Sequence, residues 1–182
     1  SSDLGYAAVD PEVRQICERA SQVFQELGAT VEDAPLKIED PFPEFWDVFA
    51  IGTYTSYGHL LEEHRGEFTD YGLRSLEHGA ELTGADLSRG LYRVDQIRRQ
   101  LEEFFDEFDL LLTPTMAVSA FPVGQRPAVI GGREVEPFWG YLPFTYPVNM
   151  TGQTASSVPC GFSADGMPIG LHVIGPSGAE AK

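Results

Sequence analysis

The sequence predicts an α/β fold, a mixed β-sheet with flanking helices. Three observations carry this. An amphipathic stretch over residues 9–28 ends at a glycine and passes into ATVEDAPL, a helix–glycine–strand unit of a layered fold. A charged helical stretch after Thr83 runs into the apolar DLLLT at Asp109–Thr113. Two strand-like segments, ASSVPCGF and PIGLHVIGP, flank the turn pair Asp165-Gly166.

Taken in order, Asp10 is placed to cap the first helix and Pro11 suits its first position. Val13, Ile16, Cys17, Ala20, Val23, Phe24 and Leu27 fall at helical spacing on one face, and Gly28 ends the helix. ATVEDAPL then alternates as a short strand. After Pro41 and Pro43, the aromatic-rich run from Phe45 to about Arg65 reads as a second helix interrupted by Gly52 and Gly58. A shorter helix covers Tyr71–Glu81.

Thr83 and Asp86 resemble a capping box with Asp in place of Glu. The helix behind them runs to about Phe108, with Leu87, Leu91, Val94, Leu101, Phe105 and Phe108 as its buried stripe. DLLLT, stopped by Pro114, reads as a fully buried strand. The stretch from Pro114 to Tyr141 is rich in Pro and Gly and lacks periodicity, which predicts a long loop that is functional or tied to a missing partner. With no repeat or linker, residues 1–182 read as a single domain.

Composition narrows the partners. Twelve Lys plus Arg against 28 Asp plus Glu give a net charge of −16, which disfavours nucleic acid. The chain contains neither a run of about 18 apolar residues nor a leader pattern, so no membrane partner is expected and a cytoplasmic location is. It opens at SSDLGYAAVD without Met, as a processed or excised piece would. Cys17 and Cys160 lie far apart in sequence, outside any metal-ligand spacing, and read as small core hydrophobes rather than a disulfide. His59 and His64 are five apart, which does not suit a zinc site on a helix. No cofactor and no metal are expected.

The stretch PFTYPVNMTGQTASSVPCGFSADGMPIGLHVIGP, Pro143–Pro176, resembles the closing segment of the amidase signature family. The resemblance rests on Asn149, Gly152, Ala155, Ser157, Val158, Pro159, Gly161, Gly166, Pro168, Gly170, Leu171 and Gly175 at their spacings. The first helix–strand unit, and the long helix leading into DLLLTPT, match in the family's order. Lys37–Thr83 is the least diagnostic region. Thr154 stands where the family commonly has Pro, His172 where it commonly has Gln, and SGAEAK replaces the usual continuation.

The resemblance implies a partial amidase-signature fold, the C-terminal segment of an amide (C–N) hydrolase whose substrate in the intact parent is a small amide. Family members use a Ser–cis-Ser–Lys triad carried in an upstream Gly/Ser-rich core, and this sequence contains no such core. Hence no catalytic residue is assigned, and the chain alone is expected to be inactive. Lys37 and Lys182 lack the apolar, glycine-flanked setting that would lower an amine's pKa. Ser156 and Ser157 lack an adjacent base and read as small residues in a buried strand. His172 is expected to hydrogen-bond inside the sheet, and Asn149 to sit at a strand entry.

Substrate-pocket candidates are Trp46, Tyr54, Leu142, Phe144, Thr145 and Asn149. Leu142 takes a position where family members that use glutamine tend to carry an acid. It therefore implies a less polar amide and disfavours a role in amidotransfer. The alternative is a non-catalytic binding or assembly module derived from an amidase. Under either reading an uncovered sheet edge and exposed apolar surface predict self-association.

Overall fold

The computed structural model describes residues 3–34 and 36–180. It has five α-helices and five strands among the described residues. The chain, read above as one domain, divides into two compact units: Ser1–Glu39 with Arg98–Lys182, and Asp40–Ile97.

The first unit is built on α1 (Pro11–Glu26) and a three-stranded antiparallel sheet in the order β1-β5-β4. Asp10 caps α1 through its Oδ1, which accepts from the Glu12 and Val13 amides at 2.8 and 3.3 Å. Val13, Ile16 and Cys17 are buried, and Gly28 leaves the helix at φ +96°. The apolar stripe does not continue: Val23 and Leu27 are 49% and 80% exposed. ATVEDAPL corrects the sequence reading too. Its residues 29–34 and Leu36 belong to no strand, and Pro35 lies outside the described residues. Alternation alone does not make a strand where no neighbour supplies ladder bonds.

Strand β1 (Leu111–Pro114) pairs with β5 (Pro168–Gly175) from Leu111↔Ile174 to Pro114↔Leu171. Strand β4 (Thr154–Phe162) takes the other edge of β5 through the Ser163–Met167 turn, where Gly166 sits at φ +83°. β5 is largely buried, but Ala155–Pro159 of β4 are exposed. The reading of Ser156 and Ser157 as part of a buried strand is therefore corrected; β4 is an open edge. The long loop holds a hairpin, β2 (Val129–Ile130) with β3 (Arg133–Glu134), turned by Gly131 and Gly132 at φ +54° and +79°. Arg133 anchors it by donating to the carbonyls of Ala7 and Tyr6 at 3.3 and 2.9 Å.

The second unit holds α2 (Phe42–Tyr57), α3 (Asp70–Glu81) and the first half of α4 (Gly84–Glu107). α2 stops eight residues short of the Arg65 end read from sequence and gives way to short 3-10 turns at Gly58–Leu60 and Arg65–Glu67. Helices α2 and α3 approach closely at Gly79, where a Cβ would lie 2.2 Å from the Ala50 carbonyl oxygen. The capping box forms: Thr83 N–H donates to Asp86 Oδ2 at 2.7 Å, and Asp86 N–H to Thr83 Oγ1 at 3.4 Å. In α4 the buried hydrophobic positions are Val94, Ile97, Leu101 and Phe104, whereas Leu91 is 53% exposed and Leu87 and Phe105 are half-buried, as is Phe108 just past the helix end. No helix among the described residues is long and apolar enough to cross a membrane.

Candidate functional site

In the first unit, four of the six pocket candidates fall on one short structure, α5 (Thr145–Thr151) and its approach. This helix is absent from the sequence reading, which put Asn149 at a strand entry; Asn149 is instead an exposed helical residue. Its signal is slight, because seven residues give under two turns of periodicity. Gly152, at φ +73°, ends the helix and frees the chain to enter β4. Arg98 closes the same end by donating from Nε to the Thr151 carbonyl at 3.1 Å, a cation placed against the negative helix terminus.

The approach to α5 is held by a chain of local bonds. Glu136 Oε2 accepts from the Phe138 and Trp139 amides at 2.6 and 2.7 Å. Leu142 N–H donates to Trp139 O at 2.8 Å, and Leu142 O accepts from both Thr145 N–H and Thr145 Oγ1 at 3.2 Å. Tyr6 donates its phenol to the Pro143 carbonyl. Leu142 and Thr145 are half-buried, whereas Phe144 is fully buried. Phe144 thus fixes the turn from inside, and Leu142, Thr145 and Asn149 are the candidates here with accessible surface.

Trp46 and Tyr54 belong to the second unit. Trp46 is 9% exposed, its ring stacked 5.4 Å from His78 with Arg74 Cζ 5.3 Å from its centroid. His78 Nε2 hydrogen-bonds Asp47 Oδ1 at 2.7 Å. Tyr54 is 39% exposed and lies one helical turn before Gly58.

The hydroxyl of Ser157 pairs with Thr115 Oγ1 at 2.7 Å, a partner that sequence reasoning missed because only the strand register reveals it. Lys37 is exposed and Lys182 lies outside the described residues. His172 is buried, and its Nδ1 has no hydrogen-bond partner among the described residues. Burial lowers its pKa from the ordinary 6.5, so the ring is neutral near pH 7. Among the described residues no group of three or more His, Cys, Asp or Glu is arranged for a metal ion.

Among the described residues of the first unit, two clefts stand out. The larger, about 680 Å³, lies between α1, the extended residues 29–34 and β1. The smaller, about 350 Å³, lies between Met116–Phe121, Tyr141 and Pro168–Gly170. None of the six pocket candidates lines either one.

A family model described as Amidase matches residues 1–182. The chain is 35% identical over 181 residues to an acylamidase of Rhodococcus erythropolis, covering 95% of this chain and 37% of that protein. It is 32% identical over 183 residues to a putative amidase AmiC of Mycobacterium bovis, covering 94% and 37%. Similarity extends to a glutamyl-tRNA(Gln) amidotransferase component of Symbiobacterium thermophilum, 31% identical over 201 residues, covering 96% and 40%. Among solved structures, a bacterial aryl acylamidase of the amidase signature enzymes superposes with a TM-score of 0.85 at 29% identity, covering 98% of this chain and 39% of that one. The chain thus spans 37 to 40% of the length of these relatives and carries part of their fold. It belongs to the amidase signature family.

Proposed function

We propose that this chain is the C-terminal part of an amide (C–N) hydrolase, contributing sheet and one wall of the substrate pocket while the nucleophile and its base come from protein outside it. The observation that carries this reading is the partner of Ser157 in the signature-like strand β4. Ser157 hydrogen-bonds a threonine, not a lysine or histidine, and a hydroxyl without a base is a poor nucleophile. The 37% coverage of the acylamidase leaves ample room for a catalytic core elsewhere. Leu142, half-buried at the mouth of α5, offers an apolar contact and no carboxylate. It supports an acyl or aryl amide of low polarity over glutamine, and hydrolysis over amidotransfer. The intact protein acts in the cytoplasm under this reading.

The test is turnover of a panel of acyl anilides and simple aliphatic amides by the purified chain. No rate above a buffer blank is expected; steady release of amine that scales with protein concentration overturns the proposal.

A second reading, a non-catalytic assembly module, is favoured by the exposed strand β4, with Val158 and Phe162 48% and 71% exposed. Such an edge invites another strand. Both readings entail self-association of the isolated chain. Sedimentation velocity is expected to show species larger than a monomer, and a single monomeric boundary across a tenfold or so dilution series contradicts it.

A further inference from the structure

The two cysteines sit on different layers of the first unit, 143 residues apart, yet their Sγ atoms are 3.9 Å from each other. Three local features produce the approach. Cys160 falls at the register shift of β4, between Pro159, paired with Gly170, and Gly161, paired with Ile169. A bulge of this kind leaves one residue unpaired and re-aims its side chain. Gly161 presents no side chain where a Cβ would lie 2.8 Å from Ile16 Cγ2, so the turn of α1 bearing Ile16 and Cys17 seats directly on the strand. From β5, the Gly170 carbonyl oxygen reaches to 3.8 Å from Cys17 Sγ. Cys17 is buried and Cys160 only half-buried, so one thiol is reachable and the other lies behind it.

We propose that Cys17 and Cys160 form a redox-modifiable dithiol, at which a low-molecular-weight disulfide of the glutathione class closes a Cys17–Cys160 bond that ties α1 to β4. In the first step the Cys160 thiolate attacks one sulfur of the reagent. A mixed disulfide forms on Cys160, and the departing small thiolate takes up a proton. In the second step Cys17 gives up its proton and attacks Cys160 Sγ, displacing the second small thiol. Two cysteine thiols lose two electrons and two protons, and the reagent gains both to become two thiols. A modest rotation of the side chains must bring the sulfurs to the roughly 2.05 Å of a disulfide.

Burial, followed by the neighbouring Cys160, pushes the Cys17 thiol up to about 12. Burial raises Cys160 as well, against a smaller opposing hydrogen bond from Cys17. The exchange is therefore slow near pH 7 and accelerates as pH rises, as suits a responsive tie rather than a catalytic redox centre.

The experiment incubates the purified chain with excess oxidised glutathione at mildly alkaline pH, alkylates it, and reads intact and peptide masses. The expected result is a loss of two hydrogens, a linked peptide pair containing Cys17 and Cys160, and an unfolding temperature raised by roughly 5 °C or more. Dithiothreitol reverses all three. Cys17→Ser is expected to stop with one glutathione on Cys160, and Cys160→Ser, while folded by circular dichroism, to take none. Glutathione on both cysteines without a link, links only between chains, or an unchanged mass overturns the proposal. The wild-type masses decide it even if a variant does not fold.

Discussion

Thr115 Oγ1 and Ser157 Oγ lie 2.7 Å apart over the position of Gly170, which has no side chain to separate them. Thr115 is itself tied down by its N–H, which donates to the Gly170 carbonyl at 2.9 Å. A Cβ on residue 170 would lie 2.6 Å from Ser157 Oγ and 2.9 Å from Thr115 Oγ1. Gly170→Ala is therefore expected to destabilise the chain by about 1 to 2 kcal/mol, because both hydroxyls must swing aside and lose their mutual hydrogen bond while Thr115 Cβ, 3.3 Å away, must give slightly. Ser157→Ala, which removes one of them, is expected to cost about 1 kcal/mol or less. Urea unfolding of the three proteins checks the order, and a Gly170→Ala variant as stable as the parent contradicts it.

Buried His172 makes stability fall on the acid side of neutrality. Its folded pKa lies below the ordinary 6.5, so above that value both folded and unfolded rings are neutral and nothing is lost. As pH drops below 6.5 the unfolded chain binds the proton first, and stability declines until the folded value is passed. His172→Gln is expected to show a shallower decline from about pH 8 to about pH 5 than the parent. Urea midpoints across that range, compared as a difference, cancel the contribution of the other histidines. Parallel curves refute the assignment.

The contact of α2 with α3 depends on a missing methyl group. At Gly79 a Cβ would meet the Ala50 carbonyl oxygen at 2.2 Å and Tyr54 Cβ at 2.7 Å. Backbone cannot swing aside as a side-chain tip can, so Gly79→Ala must push the helices apart. A loss of about 1 to 3 kcal/mol is expected despite alanine's better helix propensity. Gly52→Ala, with nothing within 4 Å of its Cβ, is the control and is expected to be neutral or slightly stabilising. Chemical denaturation of the pair settles the point.

At the start of α4, two hydrogen bonds from Thr83, side chain and then backbone, hold the Asp86 carboxyl below its ordinary 3.8, with Arg89 adding to the effect. The sign follows from that direction. The stabilisation is present above the unfolded value of 3.8 and disappears as pH falls through the lower folded value. Asp86→Asn is expected to lower the urea midpoint at about pH 7 and to lose less on acidification. An Asn variant with the parent's acid profile would count against the cap.

What the sequence made legible follows the range of the signals. Asp10, Pro11 and Gly28 bound α1, and Thr83 with Asp86 opens α4, because capping is chemistry between residues a few positions apart. Asp165-Gly166 marks the β4–β5 turn for the same reason. Burial was less legible. Val23, Leu27 and Leu91 carry the right spacing and stand exposed, since periodicity says which face is apolar and not whether anything covers it. The hairpin at Gly131-Gly132 had a readable turn signal but only two residues on each side. In the candidate site, Leu142 and Phe144 are marked out by family resemblance and not by any local pattern. Their very different exposures, and the partners of Ser157 and Cys160, depend on packing between segments far apart in sequence, which no local pattern encodes.

Pro159 lies near the middle of the open strand β4 and has no N–H to donate. A chain laid along that border meets a gap in the ladder halfway, so backbone pairing there is confined to two short runs. Assemblies that use this border are expected to stay small and reversible, because the continuous hydrogen-bond column on which fibril growth depends is broken at its centre.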